Sequence, residues 1–475
     1  MSKSLYLDEP RPSPADSGER FPGTVEAVPT QRGALHFAAA GRAAVFEPAK
    51  IVLGRKIERI HEKRLPGGNR RSQGKTRCLI AKAPPRELPS PNPRWRSRKR
   101  DATTTRLRSV KKYIKILVAT VIHGLGVFRL EKLFLSASSG FVLAFHRVVR
   151  EDEISHLLNP QMYVTKRVFR DLLLFLHRHY DVVPLADLAE KIKSKAPRRK
   201  PLCALTFDDG YMDNYTNAFP ILREMQMPAT IFLTAGLVGT KQLLWNDAIS
   251  IALARMSETA RARRHLHHLL STTGVSMLTP PDSRLAAENF SARILINQLK
   301  SWPHARISAL LSTLQPYVDW NGPVARRFRL LTWDQVREMK SEGIRFGVHT
   351  LHHCILPLED AQTAWRELQG SKALIESKLG TPVDAIAYPN GAYNGDTIRM
   401  ARQAGFRLGL TLQKERVSPR SDPMRTGRFL VNQQDIVSPA GRFSVCLLEY
   451  EKSTFVLYVK RFLQSVARGR NGKRA

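Results

Sequence analysis

Cysteine is scarce. The 475 residues contain four, Cys78, Cys203, Cys354 and Cys446, too far apart to suggest a disulfide framework or a Cys-ligated zinc site. Long apolar runs are missing as well: the longest uncharged stretch, residues 116–128, is 13 residues and contains His123, against the ~20 a spanning helix needs. It is expected to pack as a helix on the domain or to lie at a membrane surface. The start of the chain shows no basic-then-apolar-then-small pattern of a secretory leader, which points to a cytoplasmic protein, peripheral at most to the inner membrane face. No internal repeat is present. Acidic residues are outnumbered, 41 against 76 Lys and Arg, leaving +35, a charge that attracts phosphate, anionic headgroups or acidic polysaccharide.

That charge is uneven. Residues 1–50 hold 6 basic and 6 acidic side chains, residues 51–112 hold 20 and 4, and residues 113–475 hold 50 and 31. The five prolines between Pro84 and Arg100, with Arg94, Arg96, Arg98, Lys99 and Arg100, leave too little apolar surface to offset ordering entropy. Residues 1–112 therefore read as a disordered basic leader, and its sharp change in composition raises the possibility that it is absent from the working protein. Trp95 is the leader's only aromatic in its densest basic part, so stacking platforms are scarce, and nucleic acid is a poorer partner than a solvated or membrane-surface role.

From about residue 140 short apolar runs alternate with helical periodicity, the pattern of parallel strands joined by crossover helices. Strands are expected at 141–145, 181–183, 202–207, 229–233, 345–348, 385–388 and 407–412. Thr165 caps a helix whose Phe169, Leu172, Leu173 and Leu176 share one face, and Thr332 with Gln335 forms a capping box. A helical insertion at about 241–330 interrupts the rhythm. A helical linker is expected at 113–139, and a basic helix and tail at 436–475.

Polar clusters stand at the C-terminal ends of the strands, the rim where ligands gather in α/β folds. Asp208 and Asp209 end one strand; His349 and His353 follow another. One carboxylate and two imidazoles make a ligand set for zinc, cobalt or iron with positions left open, and the second carboxylate is free to accept a proton from activated water. That combination hydrolyses amides and esters. As a bland alternative the Asp pair caps a helix and His349 satisfies a strand end, but four such groups together favour the site. His352 points elsewhere at this spacing; Cys354 fills an apolar gap; His265, His267 and His268 lie in an Arg-rich stretch facing solvent.

The segments Leu205-Thr206-Phe207-Asp208-Asp209-Gly210-Tyr211, His349-Thr350-Leu351-His352-His353 and Ala387-Tyr388-Pro389-Asn390-Gly391 resemble the polysaccharide deacetylases with a NodB-type homology domain, over about residues 138–435. The resemblance implies a distorted (β/α) barrel, here spanning 140–435, that removes acetyl groups from N-acetylated sugars of an oligo- or polysaccharide. It implies a divalent metal, zinc first and cobalt second, on Asp209, His349 and His353, with Asp208 as general base and a main-chain oxyanion donor at Asn390, where the family usually has an aromatic residue. Tyr211, Pro389, Asn390, Arg425 and Arg428 fall in the expected substrate-binding set. Two departures stand out. The loop Arg that orients the base in many members is Ala387 here, and Arg425 or Arg428 could replace it. The late His that serves as general acid has no counterpart, since no His follows His353; His146, after the first strand, is the substitute. These departures leave a carbohydrate-binding pseudoenzyme and an amide hydrolase of non-sugar substrates as alternatives.

Overall fold

In this computed structural model the described residues are 102–136, 139–156, 162–194, 198–256 and 292–460, with isolated helical positions between 264 and 271. The leader up to residue 101, the tail from residue 461 and His267 lie outside them.

Eight strands form one parallel sheet. In chain order they are β1 (Gly140–Phe145), β4 (Asp181–Val182), β5 (Leu202–Phe207), β6 (Thr230–Leu233), β7 (Arg345–Val348), β8 (Ala385–Ala387), β9 (Leu408–Leu410) and β10 (Phe429–Leu430). Their spatial order is β10-β1-β5-β6-β7-β8-β9, with β4 also on β5. A separate parallel pair, β2 (Arg147–Val149) and β3 (Tyr163–Thr165), leaves the end of β1. The sheet curls into a distorted barrel: Leu143 and Ala144 of β1 face Phe429 and Leu430, and Thr426, three residues earlier, forms a parallel bridge to Leu410 of β9. The segment 426–430 therefore joins both edges.

Burial on both faces explains the unbroken apolar strands. All six residues of β1 and of β5 are buried. The helix Lys166–His179 buries Val168, Phe169, Leu172, Leu173 and Leu176, and Thr165 caps it by accepting from Val168 N. Its Phe169 meets Phe145 and Phe207 edge-on, at centroid distances of 5.4 and 5.9 Å. The capping box of Thr332 and Gln335 is formed.

The insertion builds a second apolar cluster from the helices Trp245–Met256, Ala292–Leu299 and His304–Leu314, joined to the barrel beside Tyr211 and Leu330. At the N-terminal side, the helix expected from residue 113 starts at Ala102 and runs to Gly124, followed by Val127–Ser136. At the other end, the expected C-terminal helix appears as Val445–Lys452 and a helical stretch over 454–460. Cys203, Cys354 and Cys446 are free thiols.

Candidate active site

The strand ends of β5, β7 and β8 and the segment before β10 converge at one rim. Asp208 and Asp209 leave β5, and the Asp208 amide is still held by Phe145 O at 2.9 Å. The chain then turns sharply: Asp209 has φ 74° and Gly210 φ 78°. Among the described residues only five non-glycine positions have positive φ, and four of them, Asp209, Thr350, His353 and Asn390, are in the motif loops. Such backbone costs about 1–3 kcal/mol each and concentrates where side chains must be aimed.

The aim is a single carboxylate oxygen. His349 Nε2 and His353 Nε2 each lie 3.4 Å from Asp209 Oδ1. His349 is oriented by its other ring nitrogen, which lies 2.7 Å from Ala387 O at the end of β8; an N–H there leaves the Nε2 lone pair facing Asp209. Neither carboxylate oxygen of Asp209 has a formed hydrogen bond although the residue is buried. A buried carboxylate without donors is costly, whereas a cation between it and two imidazoles removes that cost. Ligand atoms of Asp209, His349 and His353 all lie within 4.8 Å of one another, so this donor set fits a divalent first-row metal. Burial pushes the Asp209 carboxyl up, the surrounding imidazoles offset this where they carry a proton, and the net shift is downward. Burial also lowers His353 to about 4, leaving a neutral ring.

Asp208 is treated differently by its surroundings. Arg428 Nη1 and Nη2 donate to its two oxygens at 2.7 and 2.8 Å, a bidentate fork. The same guanidinium donates from Nε to Thr411 O and from Nη1 to Thr206 Oγ1. Burial alone would raise the Asp208 carboxyl, yet Arg428, together with His349 and His146, more than offsets it and the net shift is downward. Asp208 is thus an ionised carboxylate whose orientation is fixed, beside a metal-type triad to which it does not contribute.

His146 follows β1 directly. It is buried and its Nδ1 has no hydrogen-bond partner. Burial lowers its pKa, opposed by the charges of Asp209 and Asp208. Its main chain is pinned from the segment after the Asp pair: Asn214 Nδ2 donates to His146 O at 2.8 Å, while Asp213 accepts from Val148 N at 3.0 Å and Arg147 Nε at 2.7 Å.

Two of the expected substrate-binding positions are placed otherwise. Tyr211 is only 1 % exposed; its hydroxyl donates to Asp247 Oδ2 at 2.7 Å and its ring packs against Arg147. It joins the barrel to the insertion because its aromatic ring is the natural plug for an apolar seam. Arg428 is 0 % exposed and is committed to Asp208, so of the two Arg candidates it is the one placed on this carboxylate. Arg425, the other candidate, is exposed and paired with Asp422 at 3.3 Å. Pro389 is buried and Asn390 exposed on the turn after β8. Gly391 is fixed by space: a Cβ there would come within 2.7 Å of Leu412 N, at φ +67°.

His352 turns away, its Nδ1 2.7 Å from Glu367 Oε1. Cys354 is buried outside the triad, its amide donating to Thr350 Oγ1. Sequence reasoning did not single out Glu367, yet its Oε2 accepts from the amides of Leu351 and His352 at 2.8 and 3.0 Å and so clamps the loop between His349 and His353. A buried carboxylate one helix away leaves no short-range spacing signal. Asp213 and Asn214 were legible in principle, as polar residues closely following the Asp pair.

The family profile described as polysaccharide deacetylase matches residues 195–288 and 298–409, taking in the Asp pair, the His loop and the Pro389 turn. Residues 195–409 thus match the polysaccharide deacetylase family. It is 23 % identical over 253 residues to the putative polysaccharide deacetylase YxkH of Bacillus subtilis, covering 53 % of this chain and 59 % of that protein. It is 25 % identical over 234 residues to the poly-beta-1,6-N-acetyl-D-glucosamine N-deacetylase of Escherichia coli K12, covering 43 % of this chain and 34 % of that one. The chain thus spans about a third to three fifths of these relatives. The solved structure of IcaB from Ammonifex degensii aligns with a TM-score of 0.42 at 19 % identity, over 67 % of this chain and 97 % of that one. In this chain the two departures from the family pattern, at Ala387 and in the late His, are accompanied by Arg428 on Asp208 and by His146 directly after β1.

Proposed function

We propose that this site hydrolyses the acetamide of N-acetylated hexosamine units in an oligo- or polysaccharide, using a divalent metal, zinc first and cobalt second, on Asp209, His349 and His353. The observation that carries this reading is the division of labour between adjacent carboxylates: Asp209 bare between two imidazoles, Asp208 locked on Arg428. A metal of this class, when bound, polarises a carbonyl and makes water acidic near neutral pH.

The chain's own residues supply the rest. Asp208 accepts the proton of the attacking water, and the Arg428 fork keeps the carboxylate aimed while it does so. The main chain at Asn390 donates to the oxygen that gains negative charge. His146 carries a proton to the departing amine, which cannot leave as an anion; its pinned backbone fixes the ring's place. A guanidinium on the base and an imidazole at the front of the barrel support turnover over a carbohydrate-binding pseudoenzyme. Poly-beta-1,6-N-acetyl-D-glucosamine, the polymer named for the Escherichia coli relative, is the first substrate to test.

The experiment is acetate release from acetylated glucosamine oligomers by chelator-treated protein, resupplied in turn with zinc, cobalt or magnesium. Zinc or cobalt restores turnover in the parent, while Asp209→Asn stays inactive with either. Undiminished acetate release after complete removal of metal would overturn the assignment.

A further inference from the structure

The two N-terminal helices are mounted with their apolar side outward. Helix Ala102–Gly124 meets the body through charge: Lys115 pairs with Glu451 at 2.7 Å and with Asp435 at 3.3 Å, and Ala119 is the small residue in the contact, fully buried. On the opposite side Ile114, Leu117, Val121 and Leu125 follow one another at helical spacing and are 50–73 % exposed. The stripe continues onto Val127–Ser136, where Leu130 and Phe134 are 55 and 75 % exposed. A soluble surface helix is built the other way round, and an apolar stripe this continuous marks an interaction surface.

We infer that this stripe docks on the surface of an anionic lipid bilayer, lying in the headgroup region with its axis along the membrane. Three observations select that occupant. First, among the described residues no single helix is long and apolar enough to cross a membrane; the pair Lys112–Gly124 and Val127–Phe134 passes by length and composition together but is bent by 63°, and the ion-paired Lys115 side is taken up by the protein. Only one face is offered to lipid, the arrangement of an interfacial helix. Second, the charge is complementary: Arg106, Arg108, Lys111 and Lys112 lead directly into the stripe, Lys112 and Arg129 are exposed, and residues 51–112 carry 20 basic against 4 acidic side chains. Basic residues beside an apolar face read as recognition of anionic headgroups. Third, the same charge argues against the chain's own basic leader or a second copy as the cover, because each copy carries +35 and repels the next. The C-terminal helical stretch adds exposed Phe455 and Tyr458, and it is tied to the second helix where Ser453 and Thr454 donate to Glu131.

Docking on a bilayer is separate from the proposed chemistry and is read by binding alone. The full-length protein is floated with phosphatidylcholine vesicles made with or without phosphatidylglycerol, and its emission is followed in Phe134→Trp. Binding to the anionic vesicles, a blue shift of the new tryptophan on that binding, and partial release by salt are expected. Leu117→Glu with Leu125→Glu, both exposed, should lower the partition at least about tenfold without altering thermal unfolding. Equal binding to neutral vesicles, an unshifted tryptophan, or unchanged partition of the double variant would each overturn the inference. So would a dimer by light scattering that the double variant dissolves, since the stripe would then be a contact between copies.

Discussion

Replacing Arg428 by Met tests the site and the fold together. The guanidinium is wholly buried and donates to both Asp208 oxygens, to Thr206 and to Thr411 O. Its removal leaves Asp208 buried without a counter-charge, a loss of about 3–5 kcal/mol by the behaviour of broken buried pairs. For a barrel of about 300 residues that is a fall of roughly 5–8 °C in melting temperature. Asp208 has its pKa lowered in the folded protein, so its contribution to stability is present above its unfolded pKa and is lost as pH falls through the folded value. Without Arg428 the upward push of burial is opposed only by the charges of His349 and His146. The carboxyl then holds its proton at higher pH, and the acidic limb of kcat/KM moves upward. Arg428→Lys keeps the charge but loses the fork and should fall between. The decisive comparison is Asp208→Asn with Arg428→Met: removing both charges should regain at least about 2 kcal/mol over Arg428→Met alone, measured by urea and thermal unfolding. Strict additivity of the two losses would refute the claim that Arg428 acts through Asp208.

Three other outcomes follow from named contacts. Glu367→Ala frees the amides of Leu351 and His352, and loosening the loop that carries both imidazoles should weaken zinc affinity by about 10–100-fold while the melting temperature of the metal-free protein changes far less; equal affinity in a competition titration would sink it. Glu451, held at about 2 against an ordinary 4.5 by Lys414 and Lys115 despite its burial, stabilises helix docking above pH 4.5 and loses that contribution as pH falls toward 2. Hydrogen exchange of amides 112–124, corrected for the intrinsic rate, should speed up selectively in that window and not in Glu451→Gln. Phe169→Ala removes the ring wedged against Phe145 and Phe207 and should cost ~3–5 kcal/mol by chemical unfolding, with zinc affinity unchanged.

Strand positions were legible because parallel strands buried on both faces are written as apolar runs: 202–207 and 345–348 appear with the expected limits, and the others differ by one or two residues at an end. The pair β2 and β3, and β10 at the closure, were not, since neither the pairing of β2 with β3 nor that of β10 with β1 follows from a local pattern. The Asp pair and the His loop could be read because each sits at a strand end with a fixed spacing. The outward stripe of Ile114, Leu117, Val121 and Leu125 was legible as apolar but not as exposed, because its direction depends on Lys115 finding Glu451, 336 residues later.

The two departures from the family pattern have one structural explanation. Arg428 stands one residue ahead of β10, and β10 pairs with β1, the strand that ends at His146. The guanidinium and the imidazole proposed as substitutes therefore come from the pair of strands at the seam, and Thr426 ties the same segment to β9 on its other side. A barrel open at this seam would still have Asp209, His349 and His353, which rest on β5 and β7 away from it, but would lack the fork on Asp208. Metal affinity and catalysis should then separate: changes at the seam such as Thr426→Pro, which removes the amide donated to Gly409 O at 2.9 Å, should leave a zinc-binding protein without a positioned base. If zinc affinity fell in proportion to kcat, ligand set and base would be one unit, and the seam would have no separate part in forming the catalytic site.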